Sequence, residues 1–414
     1  MSATCYRRST CRLCGGGRLT LVLSLEPTPP ANAFVSQSEA ATEQERFPLD
    51  VFFCEDCAHV QLLDVVDPKV LFENYVYVSA TSPIFVKHFE DYALQVLRHF
   101  QTDKNGLAVD IGSNDGTLLG FFQRAGWRVL GIDPARDIAR AATQSGIETI
   151  NEFFTADLGR AILDDRGPAH VVTANNVFAH TDDLAGVAHG VRELLADDGI
   201  FVFEVSYLAD VFEKTLFDTI YHEHLAYHSV KPLRGFFERH GMEMIEALPV
   251  DSHGGSLRGV VQREGGRRPV GASVTEMVGR EERLSLDRAE TFHAFAARIK
   301  ALKVEFSGLL RRLKTEGKSI AGYGAPAKAT TLMYHFGIDR ELIDFIVDDS
   351  PLKQGLLSPG LHIPVLATDA MSEHRPDILV ILAWNFAPSI IAKNAAFRDA
   401  GGRFLTPLPE VEMV

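Results

Sequence analysis

Val109-Asp110-Ile111-Gly112-Ser113-Asn114-Asp115-Gly116-Thr117-Leu118-Leu119 is the stretch that decides the fold. An apolar run ends in Asp110, Gly112 and Gly116 bracket a polar turn, and apolar residues resume behind it. A buried strand passes into a helix in this way, through glycines that let a ligand approach the backbone. About 20 residues on, Trp127 to Asp133 forms a second apolar run ending in an acid, where a carboxylate reaches a ribose hydroxyl. Turn and distal acid together predict a nucleoside-containing cofactor on a Rossmann-like sheet.

Working outward, strand and helix patterns alternate from Leu107, with strands expected near 107–112, 128–133, 148–151, 170–176 and 199–205. Such alternation implies α/β architecture, a parallel sheet with helices on both faces. Asn175 and Asn176 fall in a polar loop at the carboxyl edge of the fourth strand, followed by His180. Ligands of open α/β sheets bind at that edge. Helices are expected over 84–100 and 181–196, with Asp197-Asp198-Gly199 as a turn.

The densest set of titratable groups follows the fifth strand: Tyr221-His222-Glu223-His224, then Tyr227-His228. A metal protease pattern fails here, because Ala226 stands four residues after His222. Imidazoles beside a carboxylate suit proton transfer instead, since their pKa lies near working pH. The region closes with His253-Gly254-Gly255-Ser256-Leu257-Arg258, and the glycine-rich stretch 262–275 reads as a boundary. A long helix over about 280–314 then leads to a further strand, turn and helix, Ser319 to Leu332. In that turn Gly322, Gly324 and Ala325 are expected to leave amides free at a helix start, with Lys328 one turn in, which favours a phosphate.

All five cysteines lie within the first 57 residues. Cys11-Arg12-Leu13-Cys14 and Cys54-Glu55-Asp56-Cys57 are two knuckles able to offer four thiolates to one tetrahedral zinc, with Cys5 left over. Between module and first strand, residues 65–83 carry Tyr75 and Tyr77 among many hydroxyls, a connector or a substrate lid. The chain has 414 residues and a net charge of −14. That length calls for two or three domains, and the charge argues against nucleic-acid binding. No apolar run approaches the roughly 20 residues of a membrane span, and the N-terminal basic residues precede no apolar segment, so a cytoplasmic protein is expected.

In this order, the paired knuckles, the 109–116 turn, Ile220-Tyr221-His222-Glu223-His224-Leu225-Ala226-Tyr227-His228-Ser229, His253 to Arg258 and Gly322 to Thr331 resemble the sugar C-methyltransferases over essentially the whole chain. Those enzymes use S-adenosylmethionine and act on nucleotide-linked 4-keto-6-deoxy sugars. The resemblance implies a zinc module over 1–80, a Rossmann-like methyltransferase domain over 81–265 and a second Rossmann-like domain over 266–414. It implies Cys11, Cys14, Cys54 and Cys57 as zinc ligands. Asp110, Gly112, Asn114, Gly116 and Asp133 would hold the cofactor, with Asn175 and Asn176 near its adenosyl or methionyl part. His224 matches the general base, with Tyr221, Glu223, His180 and Tyr75 or Tyr77 around the reacting sugar. The turn of Gly322, Gly324, Ala325 and Lys328, together with His253, would face the substrate's nucleotide diphosphate. His222 receives no role. The implied substrate is a keto sugar, carried by dTDP and methylated at C3 rather than C5, and the implied particle is a monomer or weak homo-oligomer. O-methylation on the same scaffold, a nicotinamide-dependent sugar dehydrogenase and an inactive zinc-ribbon binding protein are the rival readings. The glycines at 112 and 116 depart from the GxGxxG spacing of a pyrophosphate turn.

Overall fold

The computed structural model describes residues 4–73, 83–99, 106–252 and 254–414. Tyr75, Tyr77 and His253 lie outside the described residues. The strand Leu107–Ile111 is buried at every residue, in the middle of a seven-stranded sheet. Arg128–Ile132 and Ala169–Asn175 flank it, both parallel to it. Numbered in chain order, the seven strands lie in the order 3-2-1-4-5-7-6. Successive side chains point to opposite faces of a strand, so both faces are apolar. Ala108, Val171, Ile200 and Val202 pack with Phe89, Leu118 and Phe122 on one side, while Val109, Val172, Phe201 and Phe203 join the main core on the other.

Two strands of this sheet were not anticipated. Met242–Val250 and Ser256–Arg263 pair antiparallel, and Ser256–Arg263 also pairs antiparallel with Leu195–Ser206. The expected boundary at 262–275 therefore shrinks to a short connection before the helix Ala272–Arg283. The expected single helix over 280–314 is likewise two, Ala272–Arg283 and Ala289–Thr315, because Ser285 turns the chain at φ 55°. Asp197-Asp198-Gly199 is a register shift within the strand Leu195–Ser206, reached from the helix Leu184–Leu194.

The N-terminal module is an antiparallel sheet of Leu19–Thr28, Phe47–Cys54 and Val60–Leu62. Its fourth strand comes from far along the chain: Ala226 and Tyr227 pair with Gln61 and Val60. The histidine-rich stretch is thus stitched to the module by backbone hydrogen bonds. Such an edge would otherwise lie open. A second, six-stranded sheet begins at Ile320–Tyr323, has the order 3-2-1-4-5-6 in chain order, and is parallel save for its last strand, Glu412–Met413. The helices Ala289–Thr315 and Ala327–Phe336 both pack on Leu19–Thr28. One apolar core runs through all three parts. No helix among the described residues is long and apolar enough to cross a membrane.

Candidate active site

The turn after the first strand owes its glycines to two constraints. Gly112 and Gly116 have φ 71° and 77°, in the left-handed region. A Cβ on Gly112 would also stand 2.3 Å from Val177, and one on Gly116 2.8 Å from Ile147. Asp133 closes the turn from the neighbouring strand: its carboxylate accepts the Asn114 amide and the Ala135 amide, each at 2.8 Å. Each oxygen keeps a lone pair for a ribose diol, so the acid can serve both tasks. Asp110 accepts the Thr173 hydroxyl at 2.6 Å across the sheet, and burial pushes its pKa up to about 7. The Asn175 amide is buried beneath this edge without a hydrogen bond of regular geometry, although the Tyr92 hydroxyl faces it. Asn176 adopts φ 54° and donates its amide to the Glu204 carbonyl at 2.8 Å.

Val177 links this turn to the histidines. Its side chain lies on Gly112, and its carbonyl accepts the His180 amide at 2.8 Å. The His180 ring stacks on His224 with centroids 5.1 Å apart, and the Tyr221 ring also lies against His224, with centroids 4.1 Å apart. The His224 Nδ1–H donates to the Thr219 carbonyl at 2.6 Å. A carbonyl can only accept, so the proton sits on Nδ1 and Nε2 is the basic nitrogen. The His180 ring is half-buried with its Nε2 shielded from solvent, and burial first, then the neighbouring His224, pushes its pKa well down, so it stays neutral. Glu223 is buried and accepts the Asn32 amide at 2.9 Å. His222, which received no role, points away: its Nε2–H donates to the Phe47 carbonyl at 3.1 Å, and burial lowers its pKa to about 4. It staples the stretch to the module.

The second glycine turn corrects the expectation of free amides. Gly322, Gly324 and Ala325 donate to the Phe345 carbonyl at 2.8 Å, the Val347 carbonyl at 2.7 Å and the Asp348 carboxylate at 2.6 Å. The sheet's own geometry uses them, and Gly324 is glycine because a Cβ would stand 2.6 Å from the Ala383 side chain. The cations are what remains for an anion. Lys328 Nζ donates to Asn385 at 2.6 Å and lies 4.3 Å over the Trp384 ring, while Lys353 Nζ donates to the Ala325 carbonyl at 2.7 Å. Burial lowers both pKa values. This face abuts the histidine stretch: Trp384 Nε1 donates to Asp218 at 2.6 Å, and the Thr331 hydroxyl to the Ile220 carbonyl at 2.8 Å.

Thr173, Asn32, Thr219, Asp218 and Trp384 escaped the sequence reading, because nothing local marks a residue whose partner lies far along the chain. The His253 to Arg258 motif becomes clear only in space. Arg258 is buried and its Nε donates to Glu204 at 2.6 Å, while His88 holds the same carboxylate from the other side at 2.7 Å.

The four cysteine sulfurs expected to bind zinc lie within 4.8 Å of one another, with Cys11 to Cys57 at 3.7 Å and Cys14 to Cys54 at 3.6 Å. A zinc with about 2.3 Å bonds to sulfur sets tetrahedral sulfurs about 3.8 Å apart. The thiols are free of disulfides, and their crowding raises Cys57 through its hydrogen bond to Cys11 and raises Cys54 through burial. A dication would hold all four as thiolates. The donor set fits.

A glycine turn closed by an acid, an imidazole of fixed tautomer and a four-thiol cluster fit a methyltransferase with a zinc-binding module. Three family models match along the chain: a zinc binding domain over 11–72, a methyltransferase domain over 86–247, and the C-methyltransferase C-terminal domain over 251–409. The C-methyltransferase NovU of Streptomyces niveus is 36% identical over 404 residues, 98% of this chain and 96% of that one. An S-adenosylmethionine-dependent methyltransferase of Clostridium acetobutylicum aligns with 44% of this chain and 92% of its own, at 9% identity and a TM-score of 0.34. Magnesium protoporphyrin IX methyltransferase of Synechocystis aligns with 43% and 79%, at 14% identity and a TM-score of 0.33. The chain belongs to the C-methyltransferase family, as an enzyme dependent on S-adenosylmethionine and carrying a zinc site.

Proposed function

We propose that the chain methylates the carbon next to the C4 ketone of a nucleotide-linked 4-keto-6-deoxy sugar, at C3 rather than C5, with dTDP as the nucleotide. The reaction belongs to deoxysugar biosynthesis for a secondary metabolite such as an antibiotic, or for a surface glycan, in the cytoplasm. The observation that carries the reading is the fixed tautomer of His224, which aims a basic Nε2 from a stretch adjoining both ligand-binding edges.

A ketone acidifies the protons on its neighbouring carbons, and His224 Nε2 takes one. The electron pair left behind spreads onto the ketone oxygen, where the Tyr221 hydroxyl or His180 is placed to donate a hydrogen bond. Neutral His180 adds no positive charge beside the base, so the imidazolium forms without a competing cation. S-adenosylmethionine, seated by Asp110, Gly112, Asn114, Gly116, Asp133, Asn175 and Asn176, supplies an electrophilic methyl. The chain's work is positioning and deprotonation. Lys328 faces the substrate's diphosphate from the second sheet, and Glu223, held by Asn32, borders the sugar.

The test is incubation with S-adenosylmethionine and a dTDP-linked 4-keto-6-deoxy sugar in deuterated water, with the product read by mass and NMR. Methyl on C3 is expected, with kcat reduced at least ~100-fold by His224→Asn. Methyl on oxygen, or an undiminished rate in His224→Asn, overturns the proposal.

A further inference from the structure

We infer that Arg12, lying between two of the zinc ligands, is the positioning residue that sets His224 and His180 against each other. The inference rests on His224 as base. The Arg12 side chain is completely buried. Its Nε donates to Asp182 at 2.9 Å, and its Nη1 donates to the Leu225 carbonyl at 3.2 Å, to Gln61 at 3.1 Å and to the Leu62 carbonyl. Its own amide donates to Gln61 at 3.0 Å. Leu225 adjoins His224, and Asp182 is two residues beyond His180. One guanidinium thus grips both histidine-bearing loops at once.

Two further sets of contacts make the grip specific. The loops touch directly, since the Leu225 and Ala226 amides donate to the Ala179 carbonyl at 2.9 and 3.2 Å. Asp182 is also held by Arg8 at 3.0 Å and by the Tyr6 hydroxyl, so the module's first residues converge on it. The knuckle in turn fixes the Arg12 backbone: Cys11 donates its amide to the Gly16 carbonyl at 2.8 Å, and Gly15 its amide to the Cys11 carbonyl at 2.9 Å. Four thiolates on one metal make that turn rigid. A planar guanidinium serves a carboxylate and several carbonyls together, as the compact ammonium of lysine does not. The zinc site therefore acts through Arg12 on the spacing of the two rings. A misplacement of about 1 Å at a reacting group costs on the order of 100-fold in rate.

The experiment compares holoenzymes of Arg12→Gln, Arg12→Lys, Asp182→Asn, His224→Asn and the Arg12→Gln/His224→Asn double variant. Zinc content, S-adenosylmethionine affinity, kcat and KM are measured with a dTDP-linked 4-keto-6-deoxy sugar. Arg12→Gln is expected to keep its zinc and its cofactor affinity within about twofold while kcat falls about 100-fold. Arg12→Lys should recover part of that loss, and the double variant should be no slower than His224→Asn alone, because residues acting as a unit are not additive. Losses that multiply in the double variant, or kcat in Arg12→Gln within about threefold of the parent, overturn the inference. If Arg12→Gln fails to fold or sheds zinc, Asp182→Asn decides: a fall in kcat of about threefold or more with zinc retained supports it, and an unchanged kcat overturns it. An undiminished rate in His224→Asn counts against the proposed base instead, so the two failures are told apart.

Discussion

The two glycine turns are built alike and surrounded differently. In each, a glycine amide donates to the carbonyl just before the acid that ends the next strand: Gly112 to Ile132 and Gly324 to Val347, both at 2.7 Å. In each, that acid takes a turn amide with one oxygen, Asn114 to Asp133 and Ala325 to Asp348. With its other oxygen it takes the amide two residues on, Ala135 and Ser350. The shared device is a carboxylate staple between turn and neighbouring strand. The difference lies in charge. Asp110, Asp115 and Asp133 crowd the first turn, while at the second Lys328 faces Asp218 and Lys353 faces Asp348, so that cations balance the acids. Opposite charges attract most where water is excluded. On the function proposed above, the first surroundings would receive a cationic sulfonium with a ribose diol, and the two lysines of the second a diphosphate. Backbone geometry made the turns alike; the side chains around them differ.

Gly112→Ala should break the first turn alone and most severely. Its new methyl meets Val177 at 2.3 Å in a positive-φ residue, so S-adenosylmethionine affinity measured by calorimetry should fall at least ~100-fold, with a stability loss of ~1–3 kcal/mol. Lys328→Met is the opposite probe. Substrate KM should rise on the order of 10-fold while cofactor affinity stays within about twofold. If both constants moved together, the assignment of one turn to each ligand would fail. Asp133→Asn and Asp348→Asn each lose a charged acceptor for two amides, which should cost ~1–2 kcal/mol in thermal unfolding. Only Asp133→Asn should also weaken the cofactor.

The smallest effect expected is one of pH. Asp110 is protonated in the free fold below about 7, against an ordinary value of 3.8. Its raised pKa contributes stability that is present below 3.8 and lost as pH rises through about 7. A bound cation favours the ionised form, so cofactor affinity should climb a few-fold between about pH 6 and 8. Asp110→Asn should flatten that climb. On the proposed assignment of the second turn to a substrate diphosphate, substrate KM should show no such pH dependence.

Much of this is legible in the sequence. The alternation from Leu107 announced the parallel strands, because buried strands must be apolar on both faces. The 109–116 turn announced the strand–turn–helix at the first strand's end, with Asp133 ending the next strand, and two CxxC knuckles announced a metal cluster, since both features repeat short local spacings. The antiparallel pair Met242–Val250 and Ser256–Arg263 was not legible, because strand direction is set by pairing partners rather than by composition. The break at Ser285 was hidden too, since a serine with positive φ carries no signal in sequence.

The sequence by itself determined which residue types were on offer: four thiols, a histidine cluster, two glycine turns and their acids. Tertiary structure alone decided which nitrogen of His224 is basic, because the Thr219 carbonyl that takes its other proton is a matter of loop shape. It alone decided that Ala226–Tyr227 completes the sheet of a module ending far upstream, and that Arg12 reaches Leu225 and Asp182 together. Hydrogen bonds between segments more than a hundred residues apart follow from the packing of whole sheets. No window of sequence encodes them.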